Sequence, residues 1–357
     1  MKKLLFSLAV LSAVAVTAQV GINTDAPEAT LDIRKKDNQK GDLRIEGDLR
    51  IQDVEEKSIQ WFLVWDEKDQ KVKRTSLSRE ISRIKSELEN DGKRKHIRDK
   101  QPARADDIIN KIKQCAPENI IFDKLFGVDG KHDFVYCATT VTGTNYNKTW
   151  LNLNLGAEYA NIHSSDFNPT VNKTGETIHG DKNLYGSLYQ WQRASDGHEF
   201  RIRNQPNTLD KVQSWTYTGN SAGKFITSSD GHWVSNPSSD FNLWQAGGDN
   251  NPCPLGYHVP TAPEWYEFYQ AVTTGSTSAV STDQMWIQDK LPNLAAAGYH
   301  YGNDGSLYYA ESGGYYWSSS SRASDKADNF YFHRDGSDTG DNSSSLAHGL
   351  SVRCLKD

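Results

Sequence analysis

The residues of this 357-residue chain that could do chemistry are four cysteines, ten histidines, scattered carboxylates and one dense run of tyrosines. Cys115, Cys137, Cys253 and Cys354 include no CxxC pair, and no histidine sits at ligand spacing from any of them. That pattern argues against a zinc site. In an oxidising compartment an even count is instead a disulfide inventory, for which four cysteines allow three pairings. The histidines occur in unrelated contexts, without a GxSxG elbow or an HExxH helix to make them catalytic. Glu264 and Glu267 lie three apart on one expected helix, as a solvated face does more readily than the acid and base of a glycosidase. Asp335, Asp338 and Asp341 are oxygen-rich but lack the order of a calcium loop, so a tight turn accounts for them. The stretch from Asp240 to Asn251 is read the same way, as a loop before an ion site.

The tyrosines are the better candidates. The segment AAAGYHYGNDGSLYYAESGGYYW carries Tyr299, Tyr301, Tyr308, Tyr309, Tyr315, Tyr316 and Trp317 among glycines. Glycine lets backbone approach a ligand, and flat rings stack on the apolar faces of sugars. Tyr299, Tyr301, Tyr315, Tyr316 and Trp317 are the expected ligand-facing set. The simpler alternative is that these rings fill a small core beneath loops.

The chain opens MKKLLFSLAVLSAVAVTA, with two lysines, an apolar stretch and a small-residue site ending at Ala18. That is the pattern of a cleaved secretory signal over 1–18. It is followed by no lipidation cysteine, and the apolar run is too short and wrongly flanked for a membrane span. Residues 19–75 form an expected β-rich stalk segment. GDLRIE is followed at once by GDLRIQ, and Leu43, Ile45, Leu49 and Ile51 alternate with polar neighbours as half-buried strands do. Such a face needs a cover, from IQWFLVWD (Ile59 to Asp66), from sister chains, which would make a homotrimer through the stalk, or from both. Over 76–114 a helical and basic linker region is expected. Leu77, Ile81, Ile84 and Leu88 make a short heptad stripe, a coiled-coil-like helix or a lone amphipathic one. KRKHIRDKQPAR (Lys93 to Arg104) follows as a solvated linker. A second helix runs from Ala105 to Gln114, with Ile108, Ile109 and Ile112 docking it onto the head.

From Cys115 to Asp357 short strands alternate with long polar loops. FVYCATTV and TWLNLNL read as strands. TAPEWYEFYQAV reads as a helix capped by Thr261, with Trp265, Phe268, Tyr269 and Val272 on one face. FYFHR and LSVRC are the expected closing hairpin, and Phe200 to Asn251 is expected to be surface loop.

Four segments, CPLGYHVPTAPEW, GYYWSSSS, AHGLSVRC and NLYGSLYQWQ, together with TWLNLNLGA, carry a resemblance. Across roughly the C-terminal two thirds, the chain resembles the Fibrobacter succinogenes major paralogous domain, a family of secreted bacterial modules. The segment QVGINTDAPEATLDIRKK resembles the opening of exported proteins of the Bacteroidetes type. The resemblance implies an α+β chain with a C-type-lectin-like mixed α/β head with long loops, related in fold to the formylglycine-generating enzymes. It also implies a Cys253–Cys354 bridge, which leaves Cys115 and Cys137 as the second pair. Calcium-dependent lectins use a Glu-Pro-Asn or Gln-Pro-Asp tripeptide and a Trp-Asn-Asp element. Here Gln205, Pro206 and Asn207 imitate the first, but Trp317 is followed by Ser318 and Ser319, so calcium is not supported by motif and no cofactor is expected. A redox-active cysteine pair near the end of the domain is also missing, which argues against the oxidase.

A formal net charge of −6 excludes a nucleic-acid binder by bulk electrostatics. The expected function is that of a secreted or cell-surface binding protein, recognising a glycan or a protein surface in adhesion rather than catalysing a reaction. The alternatives are a structural fibre or stalk subunit without a small ligand, and a formylglycine-generating-type enzyme with a free thiol at Cys354.

Overall fold

The computed structural model describes residues 20–22, 31–33, 61–66, 71–76, 91–128, 131–201, 206–236, 242–273, 284–333, 336–338 and 342–357. The signal segment, the GDLRI repeat and the heptad stripe lie outside them. The chain is mixed α+β, with few helices and several antiparallel sheets. It divides into two units, Met1–Glu80 and Ile81–Asp357.

In the first unit Val20–Ile22 pairs in parallel with Leu31–Ile33, and Trp61–Asp66 pairs antiparallel with Lys71–Ser76, Trp61 opposite Ser76. The expected strand in IQWFLVWD is therefore present, and among the described residues its partner is the lysine-rich strand that follows it.

Two helices come first among the described residues of the second unit. Residues 91–100 form α1 and Ala105–Ile112 form α2. The basic segment was expected to be a solvated linker, and the structure corrects this. Ile97 is buried together with Ile108, Ile109 and Ile112 of α2 against Val135, Ile162 and Phe167. The charges of 93–104 occupy the outer face of a docked helix, and a charge run does not reveal that every fourth position faces a core. His96 of α1 completes the docking: its Nε2 lies 2.7 Å from Asp133, which His163 approaches at the same distance from the other side. Burial pushes the Asp133 carboxyl up, but these histidine bonds and the Gly127 N–H outweigh it and hold it below the ordinary range.

Three antiparallel sheets carry the head. The first has the order Tyr257–His258, Leu355–Lys356, Tyr146–Leu151, Val135–Gly143, Ile120–Phe122, and the second Leu307–Tyr308, Tyr299–His300, Gly349–Leu350, Tyr189–Gln190. In the third, Gly313–Ala323 pairs with Lys326–His333, which Gly336–Asp338 and Ser343–Ser345 extend. The expected closing hairpin is thus not formed. Phe330 pairs with Tyr316, in a hairpin with the strand just before it, whereas Leu350 pairs with the distant Tyr189. Helix α3, Ala262–Val272, forms where expected, and the Thr261–Glu264 capping box satisfies its first N–H groups.

Tryptophan holds this loop-rich body together. Trp150, Trp191, Trp233, Trp244, Trp265 and Trp317 are all fully buried. Five of these indoles donate to a backbone carbonyl: Trp191 to Ser318, Trp233 to Trp191, Trp244 to Arg193, Trp265 to Trp317 and Trp317 to Tyr189. A ring brings roughly 150–250 Å² of apolar surface, and its single N–H satisfies a carbonyl that irregular backbone would otherwise bury unpaired. The segment from Phe200 to Asn251 was expected to be surface loop. Its Phe225, Ile226, Trp233 and Trp244 are instead fully covered, so the polar composition between them conceals four core anchors.

Both disulfides are present. Cys115–Cys137 ties the end of α2 to the Val135–Gly143 strand, and Cys253–Cys354 spans 101 residues to fix the C-terminal segment, each with a Cα–Cα distance of 5.8 Å. No helix among the described residues is long and apolar enough to cross a membrane. Two bridges fit an oxidising, extracellular setting.

Candidate functional site

Of the tyrosine set, Tyr316 and Trp317 cannot face a ligand. Both are fully buried, Tyr316 with its hydroxyl between Asn154 Nδ2 at 3.1 Å and the backbone of Ala295 at 3.0 Å. Trp317 donates from Nε1 to the Tyr189 carbonyl at 2.6 Å. Their strand, Gly313–Ala323, is covered on both faces from Tyr316 to Ser319, so alternation no longer sends every second ring outward.

The other three remain at the surface and are joined by neighbours. Tyr299 and Tyr308 face each other across the two-stranded hairpin, rings stacked at 6.1 Å. Tyr309 stacks on Tyr299 at 6.0 Å, Tyr315 meets it edge-on at 4.8 Å, and Tyr301 meets Tyr308 at 5.5 Å. His348 lies parallel beneath Tyr299 at 5.2 Å and 9°. Tyr308 and Tyr309, the best exposed at 42% and 58%, form the rim of this platform. They were visible in sequence, where only their place in a crowded run distinguished them from core rings.

Backbone geometry sets the platform. Gly298 has φ +66°, and a Cβ there would come within 2.1 Å of the Tyr308 carbonyl oxygen, so only glycine lets the two strands approach. Gly305, φ +74°, closes the other end of the hairpin and would meet the Asn207 amide at 2.6 Å. Electrostatically the platform is neutral at physiological pH. Burial pulls His348 down to about 4 and pushes the Tyr299 and Tyr315 hydroxyls up. An uncharged stack of half-exposed rings can bind flat apolar faces.

A second cluster has the residue types of a reactive site but is fully engaged. In the turn Asp196-Gly197-His198-Glu199, the His198 Nε2 accepts from the Gln190 N–H at 3.0 Å, so its proton is on Nδ1, which donates to Asp196 at 2.8 Å. Arg193, wholly buried, donates to Asp196 at 2.7 Å and 3.0 Å. The Asp196, His198 and Glu199 ligand atoms lie within 4.8 Å of one another. The guanidinium takes Asp196 Oδ2 and the His198 Nδ1–H takes Oδ1, so a cation there would have to displace that proton, and the cluster reads as an internal ion network. It continues to His132, whose Nε2 is 3.0 Å from Glu199 and whose Nδ1 is 3.5 Å from Asp123. Burial disfavours the imidazolium, but the two carboxylates outweigh it and raise His132 to about 9. Burial likewise pushes Glu199 up, and the bonds from His132 and His198 bring it down to about 2.

The remaining candidates are structural. Glu264 caps α3, accepts from Thr261 and lies 3.1 Å from His258, while Lys148 sits 3.0 Å from Glu267, so the two glutamates are not an acid and base pair. His258 also meets Asp357 at 2.7 Å. Asn207 donates from Nδ2 to the Asp304 carbonyl at 3.0 Å, and Gln205, Asp335 and Asp341 lie outside the described residues. Cys354, which a formylglycine-type oxidase would need as a thiol, is bridged. The chain matches no family model, no curated protein and no solved structure.

Proposed function

We propose that this is an exported, cell-surface binding protein whose C-type-lectin-like head takes a glycan on the tyrosine platform. The observation that carries this reading is the exposure of Tyr308 and Tyr309 on a hairpin whose other rings are stacked behind them. Single exposed rings are ordinary, whereas a contiguous patch of them marks an interaction surface. The platform's neutrality favours the apolar face of an uncharged sugar, bound without catalysis. The two disulfides and the signal-like N-terminus support export.

The test is a glycan array probed with the full chain, with calcium and with chelator, using wild type, Tyr308→Ala and Tyr309→Ala. Aromatic contacts contribute about 0.5 to 1.5 kcal/mol each, so each variant should bind the selected glycan roughly two- to tenfold more weakly. Stability should be unchanged, since both rings are exposed. A selected glycan bound equally by all three proteins, or a blank array from the folded chain, would overturn the reading. The blank result would point to a protein partner or a structural stalk subunit.

A further inference from the structure

Alternation along the Tyr299–His300 and Leu307–Tyr308 strands sends the tyrosines to one face of the hairpin and His300, with Leu307 opposite it, to the other. That second face forms one wall of a cleft of about 1030 Å³. Ligand sites commonly run from about 300 to 1,000 Å³, so this cleft has room for more than a single small anion.

Arg201 stands in its wall. Its guanidinium rests on the ring of Tyr185, 4.6 Å from the centroid, and Tyr185 is itself anchored by its hydroxyl to the His179 carbonyl at 2.7 Å. Among the described residues no carboxylate lies within ion-pair range of that guanidinium and no oxygen accepts from it. Glu311, the acid whose charge it feels, is paired with Lys182 at 3.0 Å. Contrast Arg193 and Arg353, the other deeply placed arginines, which fill their donors with protein acceptors. A half-buried guanidinium with five free donors is costly unless something supplies the acceptors. His300, in the hairpin that also lines the cleft, repeats the pattern. His300, 93% buried given its exposure of 7%, donates from Nδ1 to the Gly305 carbonyl at 2.9 Å, which leaves Nε2 a lone pair. Among the described cleft residues it is the one buried side-chain polar atom without a partner.

The rest of the lining identifies the ligand class. Lys131 and Lys182 add cations to Arg201, against the carboxylates Glu158 and Asp304, each of which accepts one hydrogen bond from a neutral group, Asn161 at 3.3 Å and the Ser306 N–H at 2.8 Å. Phe200, Leu307 and Tyr185 offer apolar surface, and Ser187, Asn161 and Ser306 offer hydroxyl and amide groups at intervals around them. Planar forked donors suit a carboxylate, and alternating apolar and hydrogen-bonding surface suits a ring bearing hydroxyls.

We propose that this cleft is a second binding site, separate from the tyrosine platform, for an acidic saccharide whose carboxylate pairs bidentately with Arg201. It does not depend on the glycan reading of the platform.

The test is calorimetric titration of the full chain with a glucuronic-acid-containing disaccharide. The comparison ligands are the same disaccharide with its carboxyl reduced to the alcohol, and N-acetylglutamate. The proteins are wild type, Arg201→Gln, Arg201→Lys and Tyr308→Ala. Wild type should bind the acidic disaccharide, more weakly as salt rises, and the reduced sugar at least tenfold more weakly. Arg201→Gln should lose about ten- to a hundredfold, and Arg201→Lys should keep the salt dependence but recover only part of the affinity. Tyr308→Ala should match wild type, which separates failure here from failure of the platform. Equal binding of acidic and reduced sugars, unchanged affinity in Arg201→Gln, or no binding by wild type would overturn the proposal. N-acetylglutamate binding as tightly as the disaccharide would overturn the saccharide assignment. Should Arg201→Gln misfold, the acidic-against-reduced comparison in wild type still decides.

Discussion

Arg353 should be the least replaceable side chain of the head. It is wholly buried with no carboxylate partner among the described residues, and its N–H groups make five bonds. Nε and Nη2 fork onto Asn154 Oδ1 at 3.0 Å and 2.8 Å, Nη1 reaches the Leu151 and Pro292 carbonyls at 3.2 Å each, and Nη2 also reaches the Asn293 carbonyl at 2.9 Å. Burial lowers its pKa to about 10, so it remains charged across the physiological range. Arg353→Lys keeps the charge but has three donors on one point, so at least two bonds are lost. Hydrogen bonds to charged groups are worth about 1.5 to 3 kcal/mol, which makes the expected destabilisation about 3 to 6 kcal/mol. That is a large fraction of a typical domain's stability of about 5 to 15 kcal/mol. The assay is urea unfolding followed by tryptophan fluorescence with disulfides intact, since eight of the ten tryptophans lie beyond residue 80. Arg322→Lys, on the exposed part of the Gly313–Ala323 strand, serves as control and should shift stability by less than about 0.5 kcal/mol. An Arg353→Lys protein as stable as that control would refute the reasoning that this network holds the C-terminal segment in place.

Stability should also depend on pH through His132. Its folded pKa is raised from 6.5 to about 9, so its contribution is fully present below pH 6.5 and is lost as pH rises to about 9. The shift corresponds to about 3 kcal/mol, and His132→Gln should flatten urea midpoints across that window; equal slopes in both proteins would count against the ion network. Removing the bridges should rank by loop length: about 3 kcal/mol for Cys115→Ser with Cys137→Ser, and about 5 for Cys253→Ser with Cys354→Ser, in the loop-entropy model. The reverse ranking in denaturation of the two double variants would show that native-state packing at Cys115 dominates. Weakened glycan binding in Tyr308→Ala and Tyr309→Ala, and weakened acidic-saccharide binding in Arg201→Gln, complete the set.

The sequence by itself determined what local chemistry dictates. The capping box and apolar face of TAPEWYEFYQAV define α3 whatever surrounds it, because caps and a 3.6-residue period act within a few residues. The cysteine count, after the signal-like opening, implied two bridges, and the structure contains both. The Gly-Tyr run marked a place of close backbone approach, and the structure shows that at Gly298 the approach is between two paired strands. Other features were decided only when distant segments met. Whether a ring in that run is core or surface depends on which strand covers it, so Tyr316 and Trp317 went inside while Tyr308 and Tyr309 stayed out. Trp233 and Trp244 lie in a polar stretch with no period, and only Trp191, Trp215 and Arg193 explain their burial. The basic segment over 93–104 reads as solvated until Asp133 and Ile162 appear beneath it. Arg201 and His300 are 99 positions apart in sequence, and no spacing rule joins them. Their cleft exists because a hairpin with tyrosines on one face must present its alternate residues on the other, and that pairing is a property of tertiary structure alone.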